Sequence, residues 1–307
     1  MSFTRRQALT ATAALPAATL APTLLRADGH SATMTLSHAF TLGDFKVVTL
    51  LDGSRSAENP QETFGMNVSP EEFQTVSEAN FISSDSGQFF FTPTLVDTGA
   101  ERILFDTGLG QGGLQSALSQ AGYAPADITT VVITHMHPDH IGGMMSDGAA
   151  TFPNARYITG SAEYNFWSAM EAGNRVGDMV ASNVTPLAEQ MTFVDDGASV
   201  ASGVTAMATF GHTPGHMGYM LESGGRQLFL MADMANHYVW SLAYPDWEVR
   251  FDMDKEAAAA TRRRVLGMLA ADKIATIGYH MPFPAAGFVD TREDGFRYVP
   301  VSYQFMG

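Results

Sequence analysis

The chain has no cysteine among its 307 residues. No disulfide framework and no thiolate metal site can form, so every metal ligand has to be nitrogen or oxygen. Cationic residues are scarce as well. The 17 Lys and Arg are outnumbered by 32 Asp and Glu, a formal net charge of −15. Surfaces that hold DNA or RNA carry basic stripes, so a nucleic acid is not an expected partner. Low-complexity linkers and repeats at solenoid spacing are also missing. One large domain is the simplest reading of a chain this long.

The first residues belong to a different kind of segment. Arg5-Arg6 precedes an Ala-rich, moderately apolar stretch that runs to about Leu25 and ends in small residues near Ala27. A twin arginine ahead of such a stretch is the pattern of a twin-arginine export signal, and the stretch is too Ala/Thr-rich for a membrane span. The expected layout is a signal peptide at residues 1–29 and one folded domain at residues 30–307. The mature protein is then expected in the periplasm, without stable membrane insertion.

What the chain does contain is concentrated at residues 134–140, Thr-His-Met-His-Pro-Asp-His, directly after the apolar run Val131-Val132-Ile133. Four metal-capable side chains within six residues at a strand end point to a metal site, and their number suggests two metals. Imidazole and carboxylate donors suit zinc or a similar borderline ion, with manganese, iron or cobalt not excluded. Three further donors follow strand-like runs. They are His212 in Gly-His-Thr-Pro-Gly-His, Asp233 after residues 227–232, and His280 in Gly-Tyr-His-Met-Pro. Strand ends are where a rigid scaffold hands side chains to a site.

The order His-x-His-x-Asp-His, then His, Asp and His, resembles the dinuclear hydrolases of the metallo-β-lactamase fold over roughly residues 38–305. The resemblance implies that His135, His137 and His212 hold one metal, that Asp139, His140 and His280 hold the other, and that Asp233 bridges them. It also implies an α/β fold, an αββα sandwich of two β-sheets flanked by helices. The blocks at 211–216, 280–284 and 296–301 look most like the methyl parathion hydrolase branch. The bridging Asp233 argues against a penicillin substrate.

Other residues are read around that centre. Strands are expected at 46–51, 93–97, 102–106, 130–134, 156–158, 204–210, 219–222, 227–232 and 274–277, and helices at 114–121, 161–170 and 255–271. Asp252 or Asp254 could cap the last helix. Asp106 is expected either to orient a ligand histidine or to satisfy a turn, and His237 is a candidate for a group that faces substrate or stands behind the ligands. Trp167, Phe166 and Phe283 are candidate walls of an apolar substrate pocket. His216 is expected to be structural. The polar segment 58–77 is expected as a solvated arm with a short helix near 70–76, either over the site or against a second subunit in a homodimer.

Chemistry follows from the metal pair. Two divalent ions sharing a carboxylate can share a hydroxide as the nucleophile, with Asp139 or Asp233 orienting it or taking up its proton. No Gly-x-Ser-x-Gly elbow is present to offer covalent catalysis. The expected activity is hydrolysis of small neutral esters, phosphotriesters such as methyl parathion among them. The alternative within the class is a lactonase that opens acyl homoserine lactones. A noncatalytic or redox member of the fold is the alternative of another class, and His137 disfavours it.

Overall fold

The computed structural model describes residues 35–302. The expected signal segment, residues 1–29, lies outside them, as do residues 30–34 and 303–307.

Among the described residues, two seven-stranded sheets face each other. The first runs in the order Ser37–Leu42, Phe45–Leu50, Thr94–Asp97, Arg102–Phe105, Thr130–Ile133, Arg156–Gly160 and Met191–Val194. The second runs Ser199–Ala201, Val204–Ala208, Met217–Ser223, Arg226–Ala232, Ala275–Gly278, Ala286–Arg292 and Gly295–Pro300.

The central strands are buried on both faces, which is why they read as unbroken apolar runs instead of alternating ones. In Thr130–Ile133 the side chains still alternate in direction. Val132 points into the core between the sheets, with Phe105, Tyr219, Leu230 and Ile277. Val131 and Ile133 point the other way, onto Leu114, Leu118 and Val180 of the helices Gly113–Gln120 and Arg175–Asn183. The helix Lys255–Asp272 covers the second sheet through Val265, Leu266 and Leu269. Helices thus flank both sheets, as the resemblance implied.

Of the two expected caps for that helix, Asp254 is used. Its carboxylate accepts from Ala257 N at 2.9 Å. The turn at Asp97-Thr98-Gly99 closes a hairpin, with Gly99 N donating to Asp97 Oδ1 at 2.9 Å.

The segment 58–77 departs from its expectation. It is part of a packed insertion between the paired strands Gly53–Glu58 and Ser86–Phe91, with the helix Pro70–Ala79 inside it. Phe64, Phe73 and Val76 are buried with Phe89, Phe91, Trp240 and Trp247 in a third apolar cluster. The polar composition of the stretch hid a few apolar side chains that do the packing, Phe73 and Val76 at helical i, i+3 spacing.

Candidate metal centre

The donors meet because strands that run parallel deliver their C-terminal ends to one edge. Arg102–Phe105 and Thr130–Ile133 are parallel neighbours, so Asp106 emerges beside Thr134 and the histidines after it. Arg226–Ala232 and Ala275–Gly278 are parallel neighbours in the other sheet, so Asp233 and His280 emerge together. His212 arrives in the turn between Val204–Ala208 and Met217–Ser223, and a four-residue helix, Pro138–Ile141, carries Asp139 and His140.

Seven side chains form two groups, His135–His137–His212 and Asp139–His140–Asp233–His280, each with candidate ligand atoms within 4.8 Å of one another. His137 Nδ1 lies 3.1 Å from His135 Nε2 and 2.9 Å from His212 Nε2. His280 Nε2 lies 3.4 Å from Asp139 Oδ2 and 3.0 Å from Asp233 Oδ2. Ligands about 2.0–2.1 Å from a tetrahedral ion stand roughly 3.3 Å apart, so these spacings suit donors gathered around one ion in each group. Asp233 reaches both groups. Its Oδ1 is 3.2 Å from His140 Nε2 and its Oδ2 is 3.5 Å from His212 Nε2.

Two orphaned atoms test whether ions fit. His140 Nε2 and Asp233 Oδ1 are buried and have no hydrogen-bond partner. Leaving such groups unpaired costs about 1–3 kcal/mol each, more when charged, and a shared cation relieves both. The donor set is also all nitrogen and oxygen, as divalent zinc accepts.

Four of the five donor histidines, all but His137, are oriented from behind by a second partner. His140 Nδ1 is 2.8 Å from Asp106 Oδ2, and His212 Nδ1 is 3.0 Å from Asp252 Oδ1. Asp252 is fixed in turn by the buried Arg262 guanidinium, which donates to Oδ2 at 2.7 Å. His280 Nδ1 is 2.7 Å from the Phe90 carbonyl, and His135 Nδ1 is 3.1 Å from Thr134 Oγ1. Asp106, with φ +62°, meets both of its expected descriptions, since it also accepts from Thr134 N and Thr134 Oγ1.

The two groups differ electrostatically. Burial and the neighbouring histidines hold His135 and His137 well below the ordinary imidazole range. Burial also works against the cation at His140, but Asp233, Asp106 and Asp139 outweigh it and hold that pKa well above the ordinary value. Asp233 resists burial in the same way, because His280 and His140 hold its carboxyl well below the usual range.

Glu163 went unnoticed in the sequence. Fully buried on the helix Ser161–Ser168, it accepts from Met136 N, between His135 and His137, at 2.8 Å. It also accepts from Thr213 Oγ1 at 2.6 Å, Gly215 N at 3.0 Å and Trp167 Nε1 at 2.8 Å. One carboxylate thereby clamps the 135–137 loop to the 212–216 loop. Arg262 was missed as well, and Asp252 was read only as a possible helix cap, since no local spacing marks its partner His212, 40 residues away. His216 is structural, as expected. Its Nδ1 meets Thr209 Oγ1 at 2.8 Å, and its Nε2 accepts from Asp233 N at 3.1 Å.

A cavity of about 450 Å³ opens over the donors. Its walls correct the expectation for the pocket. Phe89, Phe91, Leu109, Val176, Met179 and Phe251 supply the apolar surface, while Trp167, Phe166 and Phe283 do not line it. Trp167 is buried, tied to Glu163 and set edge-on to His137 at 6.0 Å, so it supports a donor from behind. Phe166 packs into the cluster under the first sheet. His237 does not touch the donors either. Its Nδ1 accepts from Val239 N and Trp240 N, it stacks on Trp240 at 4.0 Å, and burial pushes its pKa down to about 3. It stabilises a turn in its neutral form.

Comparison with known proteins adds the following. The family model of the metallo-beta-lactamase superfamily matches residues 92–275, more than half of the chain. An N-acyl homoserine lactonase from a Bacillus species is 29% identical over 147 residues, 43% of this chain and 54% of that protein. One from Bacillus cereus is 26% identical over 198 residues, 59% of this chain and 73% of that protein. The match thus spans about half the length of the first relative. The solved structure of AidC, a dizinc quorum-quenching lactonase in complex with an acyl-homoserine product, has a TM-score of 0.82 at 28% identity, covering 88% of this chain and 100% of that one. AbOPH, a hydrolase in the beta-lactamase superfamily, has a TM-score of 0.79 at 22% identity, covering 89% and 99%, a likeness of fold alone. Three of these four proteins are lactonases and none is named a methyl parathion hydrolase, so that narrower branch is not supported.

Proposed function

The chain belongs to the metallo-β-lactamase superfamily, and we propose that it is a metal-dependent hydrolase that opens lactones of the N-acyl homoserine class. The observation that carries this reading is one cavity in which both donor groups face a largely aromatic and aliphatic wall, with room for a ring ester and an acyl arm. The lactonase relatives support the same choice.

In this reading His135, His137 and His212 hold one divalent ion, Asp139, His140 and His280 the other, and Asp233 serves both. Zinc is the ion we propose. Bound there, the pair supplies Lewis acidity and brings the pKa of water towards 7. Asp233 and Asp139 are the carboxylates at the cavity floor placed to orient the attacking water and accept its proton. Asp139 is held in place through its own carbonyl, which accepts from Tyr279 Oη at 2.5 Å. The apolar walls limit bulk water around the scissile group, where dipoles then act more strongly.

The test is a direct comparison on zinc-loaded protein between N-hexanoyl homoserine lactone and a methyl parathion-type phosphotriester. We expect kcat/KM for the lactone to be higher by at least about tenfold, a difference of about 1.4 kcal/mol in transition-state stabilisation. The reverse order would return the phosphotriesterase reading.

A further inference from the structure

Two arginines at the cavity mouth play no part in the chemistry above. Arg55 and Arg175 both line the cavity that contains the donors, and both side chains are exposed. In this acidic protein most guanidiniums have a partner. Arg102 pairs with Asp97, Arg156 with Glu101, Arg262 with Asp252, and Arg297 with Asp290. Among the described residues neither the Arg55 nor the Arg175 guanidinium has a hydrogen bond or an ion pair, although the chain carries 32 acidic residues that could have supplied one.

Their placement is specific. Arg55 is directly opposite Phe89 in the pairing of Gly53–Glu58 with Ser86–Phe91, so the two side chains share the sheet face that turns to the cavity. Arg175 is the first residue of the helix Arg175–Asn183, the end where the helix macrodipole favours an acid and disfavours a cation. The Asn174 cap already satisfies Val176 N and Gly177 N there, so the arginine contributes nothing to the helix start. Residues that break a local rule without a compensating contact are expected at functional or strained sites, and these two stand at the rim of one.

We propose that Arg55 and Arg175 are an anion-recognition pair, and that the substrates are lactones whose acyl arm ends in a carboxylate. The proposal rests on the lactonase reading for the scissile bond and adds the substrate's far end. The overall charge of −15 argues for uncharged substrates, but the mouth is a local exception. A pair of unpaired guanidiniums in a concave rim focuses field lines on the entrance and holds a planar carboxylate by forked hydrogen bonds, which a lysine cannot reproduce. The ring carbonyl then lies over the donors and the apolar walls take the chain between.

The test uses the zinc-loaded full chain and two matched lactones, one with an acyl arm ending in carboxylate and one ending in carboxamide. In the wild type the acid-to-amide ratio of kcat/KM should exceed one at low salt and fall as salt rises. Arg55→Gln and Arg175→Gln should each lower that ratio about fivefold, the size of one solvent-exposed charge contact, and the Lys variants should restore part of it. A ratio that neither Gln variant changes would overturn the proposal. Hexanesulfonate, an anion that ligates metals poorly, gives a readout independent of turnover. Calorimetry should show at least fivefold weaker binding to the double Gln variant, and equal binding would overturn the proposal. If neither lactone is opened but hexanesulfonate binding still depends on both arginines, the lactonase reading fails and the anion pair stands.

Discussion

Asp233 is the residue on which the two donor groups depend, because its Oδ2 lies within reach of both His280 and His212 while its Oδ1 faces His140 and has no hydrogen-bond partner. Asp233→Asn should lower turnover at least ~100-fold and leave fewer than two metals per chain by elemental analysis, since a lost or misdirected ligand typically costs that much or more. Two bound metals with near-normal turnover would contradict the shared role. The carboxylates behind the histidines allow a finer test. Asp252→Asn should weaken the ion held by the His212 group about 10–100-fold in a metal titration, whereas Asp106→Asn should act on the His140 group. If each variant weakened both ions equally, the division into two groups would be wrong.

Glu163 makes a second residue-scale prediction, one concerning stability. It accepts four donors, while a Gln at that place can accept through one oxygen and turns an NH2 towards the remaining donors. Glu163→Gln should cost roughly 1–3 kcal/mol in urea unfolding. Burial raises the Glu163 carboxyl above its ordinary value, and the four donors only partly offset this. The folded state therefore holds this proton more tightly than the unfolded chain does. The contribution is fully present below the unfolded value and is lost as pH rises through the raised folded one. The Gln variant should lack that slope, and an identical pH profile would refute the assignment.

At the scale of elements, the insertion between Gly53–Glu58 and Ser86–Phe91 matters more than its polar sequence suggests. Phe73 is buried, stacked on Trp240 at 5.1 Å and on Trp247 at 5.7 Å, and it anchors the helix Pro70–Ala79. The strand beside it carries Phe89 and Phe91 into the cavity and offers the Phe90 carbonyl to His280. Phe73→Ala should cost about 3–5 kcal/mol and also weaken the ion held by the His280 group. A loss under about 1 kcal/mol, with unchanged metal affinity, would mean that the insertion folds independently of the site. The helix Lys255–Asp272 does comparable work on the other side, since it brings Arg262 to Asp252 and thereby sets His212.

For the whole molecule, the ions are expected to be part of the folding free energy, because the unfolded chain offers no preformed site. Free zinc at about 1,000 times its dissociation constant adds about 4 kcal/mol per site, so a chelator should lower Tm by on the order of 10 °C. A Tm unchanged by a chelator that demonstrably strips the metal would rule that out. Export belongs to the same scale. We propose that Arg5-Arg6 directs the chain to the periplasm, and that replacing both with Lys retains it in the cytoplasm, because the two cations differ in geometry. Unchanged periplasmic yield would remove that proposal.

The sequence alone determined the donors and the kind of fold. Four of them are local in chain order at 135–140, and the apolar runs ahead of all seven announce strands buried on both faces. His135 to His140, His212, Asp233 and His280 all follow such runs, and the structure draws the seven together. Tertiary structure alone decided what surrounds them. Asp252 and Arg262, Glu163, and the Phe90 carbonyl act across 10 to 190 residues, distances at which no periodicity carries a signal. The pocket wall was misjudged for the same reason. An aromatic such as Trp167 reads the same in sequence whether it turns towards substrate or towards the back of a ligand. Its direction is set by a hydrogen bond to a buried carboxylate that only the fold places beside it.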